Sequence, residues 1–448
     1  MSREKCCWNK KAPCLKFPGV GRWSLLVTSL LNYTLNEVAM NQQVFLSPSP
    51  SAASSPADAS AGLCLGTERT RVQAVDVVGG LVMVIMALDH IREFWTPMVM
   101  RAEDVAQASA ALFFTRWVTH FCAPTFVFLS GVSIWLSARK HRSRARTSSF
   151  LLTRGLWLVA VEVVLISFVL QWQTSMILLE VIWAIGGSMV LLVALIWLPR
   201  GVLAALAIVI IAGHNALPVI QPVTASNAGW ALLRNPPFLL PIGTLPPLLV
   251  AYSIGSWLGV MLAGYVLGPW FALPLPQRNR RLRLASMLAL GLLVALRATN
   301  WYGDPAPWSV QPRGLGYTAL SFLNVTKYPP SLLFLCLTLG GALLLLSVAE
   351  KATSRPARWL RTFGQVPFFY FVAHLLLISG AAWVWTRVTF GQPVNFSFVS
   401  VKEWPAAYHP SLLRAYAVWA LVILTLYWPC RWYQRYKQRH SYWWRSYL

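Results

Sequence analysis

Hydrophobic positions gather into long, nearly charge-free runs from residue 69 onward, separated by polar connections. A helix crossing a bilayer needs roughly 20 apolar residues, because each adds about 1.5 Å against a hydrocarbon core of about 30 Å. Ten runs are candidates: 72–94, 112–136, 150–170, 176–198, 202–213, 245–267, 282–298, 331–348, 366–388 and 412–432, of which the fifth is the shortest. Lipid offers the backbone no hydrogen bonds, so runs of this kind are helices. The ~10-residue alternating segments of a membrane β-barrel are absent. The pattern predicts an all-α, polytopic integral membrane helix bundle of about ten transmembrane helices.

Charge gives that bundle an orientation. Only 12% of residues are charged, yet Lys and Arg outnumber Asp and Glu by 38 to 14, a net charge of +24. The connections after the second, sixth and eighth runs carry Arg139 to Arg146, Arg278 to Arg283 and Lys351 to Arg361. The tail adds Arg431, Arg435, Lys437, Arg439 and Arg445. The alternate connections, including the long ones at 214–244 and 299–330, hold few basic residues. Even connections inside, odd ones outside and both termini cytoplasmic satisfy the positive-inside rule. Removing the fifth run would reverse every later loop. Basic residues clustered at run ends also argue against a nucleic-acid partner, and the expected partner is the lipid bilayer.

Residues 1–68 differ from the rest. A basic start, a short apolar patch from Trp23 to Leu31 and a Ser/Pro/Ala tract from Ser47 to Ala61 cannot bury a core. The stretch reads as a disordered extension or a start site placed too far upstream, and residues 69–448 as the transmembrane domain. The seven cysteines are scattered without a CxxC, and the histidines lack ligand spacing, so neither a disulfide framework nor a metal site is expected.

Ionisable residues inside apolar runs are costly and mark candidate sites. On the first run Asp76, Gly79/Gly80, Met83, Met86/Ala87 and His90 share one helical face. Asp76 lies near its cytoplasmic end and His90 near its outer end, about 21 Å apart. On the second, Arg116, His120 and Pro124 recur at i, i+4 and i+8. A short connection brings Asp89, His90, Arg92, Arg116 and His120 together on the outer side. Cations there keep Asp89 ionised, and a partly desolvated histidine is neutral at about pH 7 and competent as a base. The plainer alternative is an ion-pair cluster tying two helices. Glu162, Glu180, His214, Asn215, Asp304 and His374 are further candidates; a lone histidine among aromatics, such as His374, is more often a hydrogen-bonded core residue.

The stretch from Arg71 through Asp76 to Asp89-His90 resembles the opening helix of bacterial membrane proteins with the heparan-α-glucosaminide N-acetyltransferase catalytic domain. Phe114 to Pro124, Glu180 to Gly186, Ala212 to Asn215, Trp257 to Met261 and Ser321 to Ser331 also agree, so the resemblance runs in order over residues 69 to 435. It implies a membrane acyltransferase that carries an acyl group from a cytoplasmic donor to an acceptor on the far side. Two departures stand out. Relatives carry an arginine, ten residues, then a histidine; counting back from His90 gives Gly79, about 20° off its face and about 16 Å below it. Heparan-acetylating enzymes themselves have asparagine where His90 stands and a histidine a dozen residues later, which this chain lacks.

The resulting expectation is an acyltransferase of the bacterial cytoplasmic membrane acting on an extracytoplasmic sugar or small acceptor. His90, Asp89, Arg116 and His120 would be catalytic; Asp76, His214, Asn215, Asn324, Lys327 and His374 would bind substrate or donor. No cofactor is bound; acyl-CoA, acetyl-CoA first, is the co-substrate, and a homodimer is an open assembly. Two alternatives stay open: a proton-coupled transporter or flippase relaying through Asp76, Asp89, Glu162 and His374, and an inactive family member lacking the arginine at 79.

Overall fold

A computed structural model describes residues 72–139, 143–235 and 237–440. The expectations for residues 1–68 lie outside the described residues. The described chain is helical, apart from one small sheet: α1 (Gln73–Trp95), α2 (Ala110–Thr119), α3 (Cys122–Ala138), α4 (Arg144–Val161), a π turn (Glu162–Ile166), α5 (Ser167–Gln171), β1 (Ile177–Leu179), α6 (Val181–Leu195) and α7 (Arg200–Gly213). Then come α8 (Ala228–Arg234), β2 (Phe238–Ile242), β3 (Leu245–Val250), α9 (Ile254–Leu267), α10 (Leu275–Thr299), α11 (Leu315–Leu323), α12 (Leu332–Ala349), α13 (Arg355–Gly364), α14 (Pro367–Phe390) and α15 (Leu412–Arg439). Among the described residues eight helical segments are long and apolar enough to cross a membrane, and Val181–Leu195 and Arg200–Ala216 are shorter apolar helices. The protein is an all-α polytopic bundle.

α1 sits inside, packed by α3, α12, α13, α14 and α15. Ala87, Ile91, Val127, Val132, Phe334 and Tyr370 are fully buried at this centre. Peripheral helices turn large apolar side chains outward: Leu284, Met287, Leu288 and Val294 on α10, Ile208 and Val209 on α7, and Leu421, Leu424 and Trp428 on α15. Apolar area of that extent suits lipid rather than water.

Two crossings are backbone against backbone. A Cβ on Gly80 would collide with the Leu360 carbonyl oxygen, and one on Gly364 with that of Asp76. Gly131 and Gly264 bring α3 and α9 equally close. With no hydrophobic force between helices in lipid, such small residues permit the contact that dispersion needs.

Three expectations change, the first being that the fourth apolar run, 176–198, opens with the strand β1 and becomes helical only at Val181. Residues 245–250 pair as a strand instead of opening a transmembrane helix. Pro246 and Pro247 cannot continue a helix, and they fall in the bulge where Leu245 opposes Ile242 and Leu248 opposes Leu240. β1 joins β3 in parallel, giving the order β1-β3-β2. The second apolar run is not one continuous helix either: it breaks at His120–Phe121, between α2 and α3. Pro124 has no N–H and its ring clashes with the carbonyl four residues back, which belongs to His120.

Candidate functional site

α1 has polar groups at both ends. Near its start, Asp76 accepts a hydrogen bond from Gln365 Nε2 at 3.0 Å, and Gln365 Oε1 accepts from Gln434. Beside it Glu350 accepts from Ala74 N at 2.7 Å and pairs with Arg278 at 3.2 Å, while Arg361 donates to Gln73. About 20 Å along the helix lies the second centre.

Asp89 organises that centre. Arg116 Nη1 donates to both its oxygens at 2.9 Å, Arg92 Nη2 lies 3.2 Å away and Lys327 Nζ 3.6 Å away. The Nε of Arg116 donates to Glu103 at 3.0 Å. A guanidinium only 6% exposed is tolerable because two carboxylates share it. Burial would raise the Glu103 carboxyl, yet Arg116 outweighs it and holds Glu103 below the usual glutamate range.

Lys327 reaches Asp89 because its loop is fixed from several sides. Asp304 accepts from Thr326 N and Oγ1, each at 2.8 Å, and from Ser331 Oγ at 2.7 Å. Ser331 in turn caps α12 by accepting from Phe334 N. Asn215 Oδ1 accepts from Leu332 N at 2.8 Å, and His214 meets the Pro330 carbonyl. Arg297, 1% exposed, donates to the carbonyls of Ser321, Phe322 and Asn324 at the end of α11. Asn324 Nδ2 donates to the Glu103 carbonyl at 2.8 Å.

His90 lies on the other side of Asp89, its ring centroid 5.3 Å from that of His374. His374 stacks on Tyr370 at 5.0 Å and its Nδ1 bonds the Tyr370 carbonyl at 3.0 Å. His120, at the helix break, is 2% exposed with neither ring nitrogen partnered among the described residues, and packs edge-on against Phe334.

The expected residues therefore divide. Asp89, His90, Arg116, Lys327 and His374 come together, with His120 within electrostatic reach of Arg116 and Lys327 and Asn324 at the rim. His214 and Asn215 brace the loop that carries Lys327. Asp76 stands at the far end of α1. Glu162, 0% exposed, accepts from Glu180 N at 2.9 Å at the start of α6 and so serves as a helix cap. Two groups escaped the sequence reading. Glu103 lies in an aperiodic loop, and Tyr370 sits in a run of aromatic and aliphatic residues that reads as core.

Gly79 has no steric reason to be glycine. A Cβ there would lie 3.8 Å from Leu129 Cδ1 and 3.9 Å from Gly364 Cα, ordinary contact distances, whereas Gly80 admits none.

A helical bundle with a charged, largely buried centre at one end of its innermost helix defines a class of polytopic membrane protein with an internal polar site. The chain belongs to the heparan-alpha-glucosaminide N-acetyltransferase catalytic family, whose sequence model matches residues 71–299. That is a family of membrane acetyltransferases. No curated protein matches the chain. The family match covers Asp89, His90, Arg116 and His120, while Lys327 and His374 lie beyond it.

Proposed function

We propose that the protein is an integral-membrane acyltransferase that moves an acetyl or similar group from a cytoplasmic acyl-CoA to a sugar or small acceptor on the opposite side. The observation that carries this is His90 set between the Asp89–Arg116–Lys327 cluster and His374, at the opposite end of α1 from the cationic loops. With both termini cytoplasmic, that cluster faces the extracytoplasmic side of a bacterial inner membrane. His90 takes the proton from the acceptor hydroxyl or amine. Arg116 and Lys327 fix Asp89 and supply positive charge where the tetrahedral intermediate gathers negative charge on oxygen, an effect of about 3 kcal/mol per donor in soluble enzymes. His120, with neither nitrogen partnered among the described residues, is available to a hydroxyl of the acceptor.

Membranes supplied with labelled acetyl-CoA test the assignment. Transfer of label to a glycan or amine acceptor should fall about 10²- to 10⁴-fold in His90→Ala. Equal labelling by variant and unaltered protein would remove His90 from the mechanism. Uptake or efflux driven by a pH gradient, without an acylated product, would favour a transporter.

A second reading, an inactive family member, has in its favour that nothing steric requires glycine at position 79. Under it, Gly79→Arg gains activity over a silent parent. Under the leading proposal the parent already transfers label.

A further inference from the structure

His374 has a defined tautomer. Its Nδ1 meets the Tyr370 carbonyl, which can only accept, so Nδ1 carries the ring proton. Nε2 is then a bare lone pair. It is fully buried, and no donor reaches it among the described residues. Leaving such an acceptor unsatisfied costs about 1–3 kcal/mol, which a proton or a hydrogen-bonding ligand arriving there would offset. The neighbouring ring is His90, and a modest rotation would set nitrogen against nitrogen. One turn nearer the Asp76 end of the bundle, the Tyr370 hydroxyl is also fully buried and has no partner among the described residues. Two polar atoms on one face of α14 thus lead from the inner end toward His90.

We propose that His374 is the catalytic acid of the transfer, receiving at Nε2 the proton that His90 removes from the acceptor and delivering it to the departing sulfur of the donor, with the Tyr370 hydroxyl donating to the donor arm on its approach. The inference rests on the acyltransferase reading and adds to it the fate of the proton. The acceptor oxygen or nitrogen bonds to the acyl carbon as its proton passes to His90. Collapse of the tetrahedral intermediate breaks the carbon–sulfur bond, and the sulfur keeps that electron pair. The proton moves from His90 to His374 Nε2 and then to sulfur, leaving ester or amide and free thiol with both imidazoles neutral. No oxidant or further reactant is needed. Separate groups for the two proton transfers spare the base from turning between acceptor and leaving group.

The test uses His374→Asn, whose amide N–H can keep the bond to the Tyr370 carbonyl, in full-length protein shown to be monodisperse in detergent. With acetyl-CoA, kcat should fall at least about 10²-fold while KM stays within about threefold. The acetyl ester of an arenethiol, whose thiolate departs without a proton, should lose less than about tenfold. An unchanged kcat, a rise confined to KM, or equal losses with the two donors would overturn the acid role. If the unaltered protein turns over acetyl-CoA alone, the kcat and KM comparison decides. Absence of transfer from either donor by the unaltered protein fails the acyltransferase reading itself, and the acid role with it.

Discussion

At the scale of single residues, the centre is a set of charges that only make sense together. Arg116 serves two carboxylates from one buried position, so Arg116→Ala strands Asp89 and Glu103 with fewer cations. Breaking one side of a buried pair costs about 3–5 kcal/mol, and thermal unfolding in detergent should register a loss of that order. Arg116→Lys recovers only part, because an ammonium cannot reach both partners with a planar fork. Glu103 gives a pH signature. Its carboxyl is depressed in the folded protein, so its contribution is present above the ordinary glutamate value of about 4.3 and is lost as pH falls through the lower folded value. Glu103→Gln should therefore unfold more easily than the unaltered protein at neutral pH, by up to about 1 kcal/mol given its partial exposure. The two should converge in strong acid; a constant difference across pH would deny the ionic origin.

Elements position these residues through a few sequence features with large mechanical effect. Gly79 and Gly80 are adjacent yet unequal. Gly80→Ala drives a methyl into the Leu360 carbonyl and should cost about 1–3 kcal/mol, read as a lower melting temperature. Gly79→Ala should be neutral or gain up to about 1 kcal/mol from helix propensity. Pro124 ends α2 and frees the His120 backbone, so Pro124→Ala should extend the helix through 120 and move that imidazole. The expected result is a drop in acyl transfer larger than any drop in stability.

Much at this scale was readable beforehand. Each of the ten apolar runs contains a helix, although the fourth and sixth open in strands, and the convergence of Asp89 with Arg116 followed from the short connection between their runs. What escaped did so for physical reasons. Hydropathy cannot separate 245–250 from the helix behind it, since the strand is just as apolar and only the paired prolines speak against a helix. Lys327 stands out in the sequence as a binding residue, yet nothing local shows that Asp304, Asn215 and Arg297, from other parts of the chain, fix its loop beside Asp89. Glu162 looked like a relay carboxyl because its partners are backbone N–H groups, which leave no trace in side-chain identity.

For the molecule as a whole, Arg144 with Trp197, Arg200 with Val266 and Arg278 with Glu350 join one set of loops, and Arg313 with Ala108 and Asn324 with Glu103 join the other. In the proposed orientation the first set is the cytoplasmic one. A reporter fused after Leu448 should accordingly fluoresce inside the cell, while a tag inserted beside Ser309 should be protease-accessible only from outside. The reverse pattern would invert the proposed route of the acyl group.

The contact between Gly80 and Gly364 then acquires another meaning. Because main chain rests on main chain there, α1 cannot slide along its axis relative to α13, whose Arg355, Arg358 and Arg361 the proposed orientation sets among the inner lipid headgroups. His90 stands a fixed number of helical turns above that seat. The protein thus carries its own depth gauge. A bilayer somewhat thicker or thinner should tilt the outer helices while the imidazole keeps its distance from the inner headgroup plane.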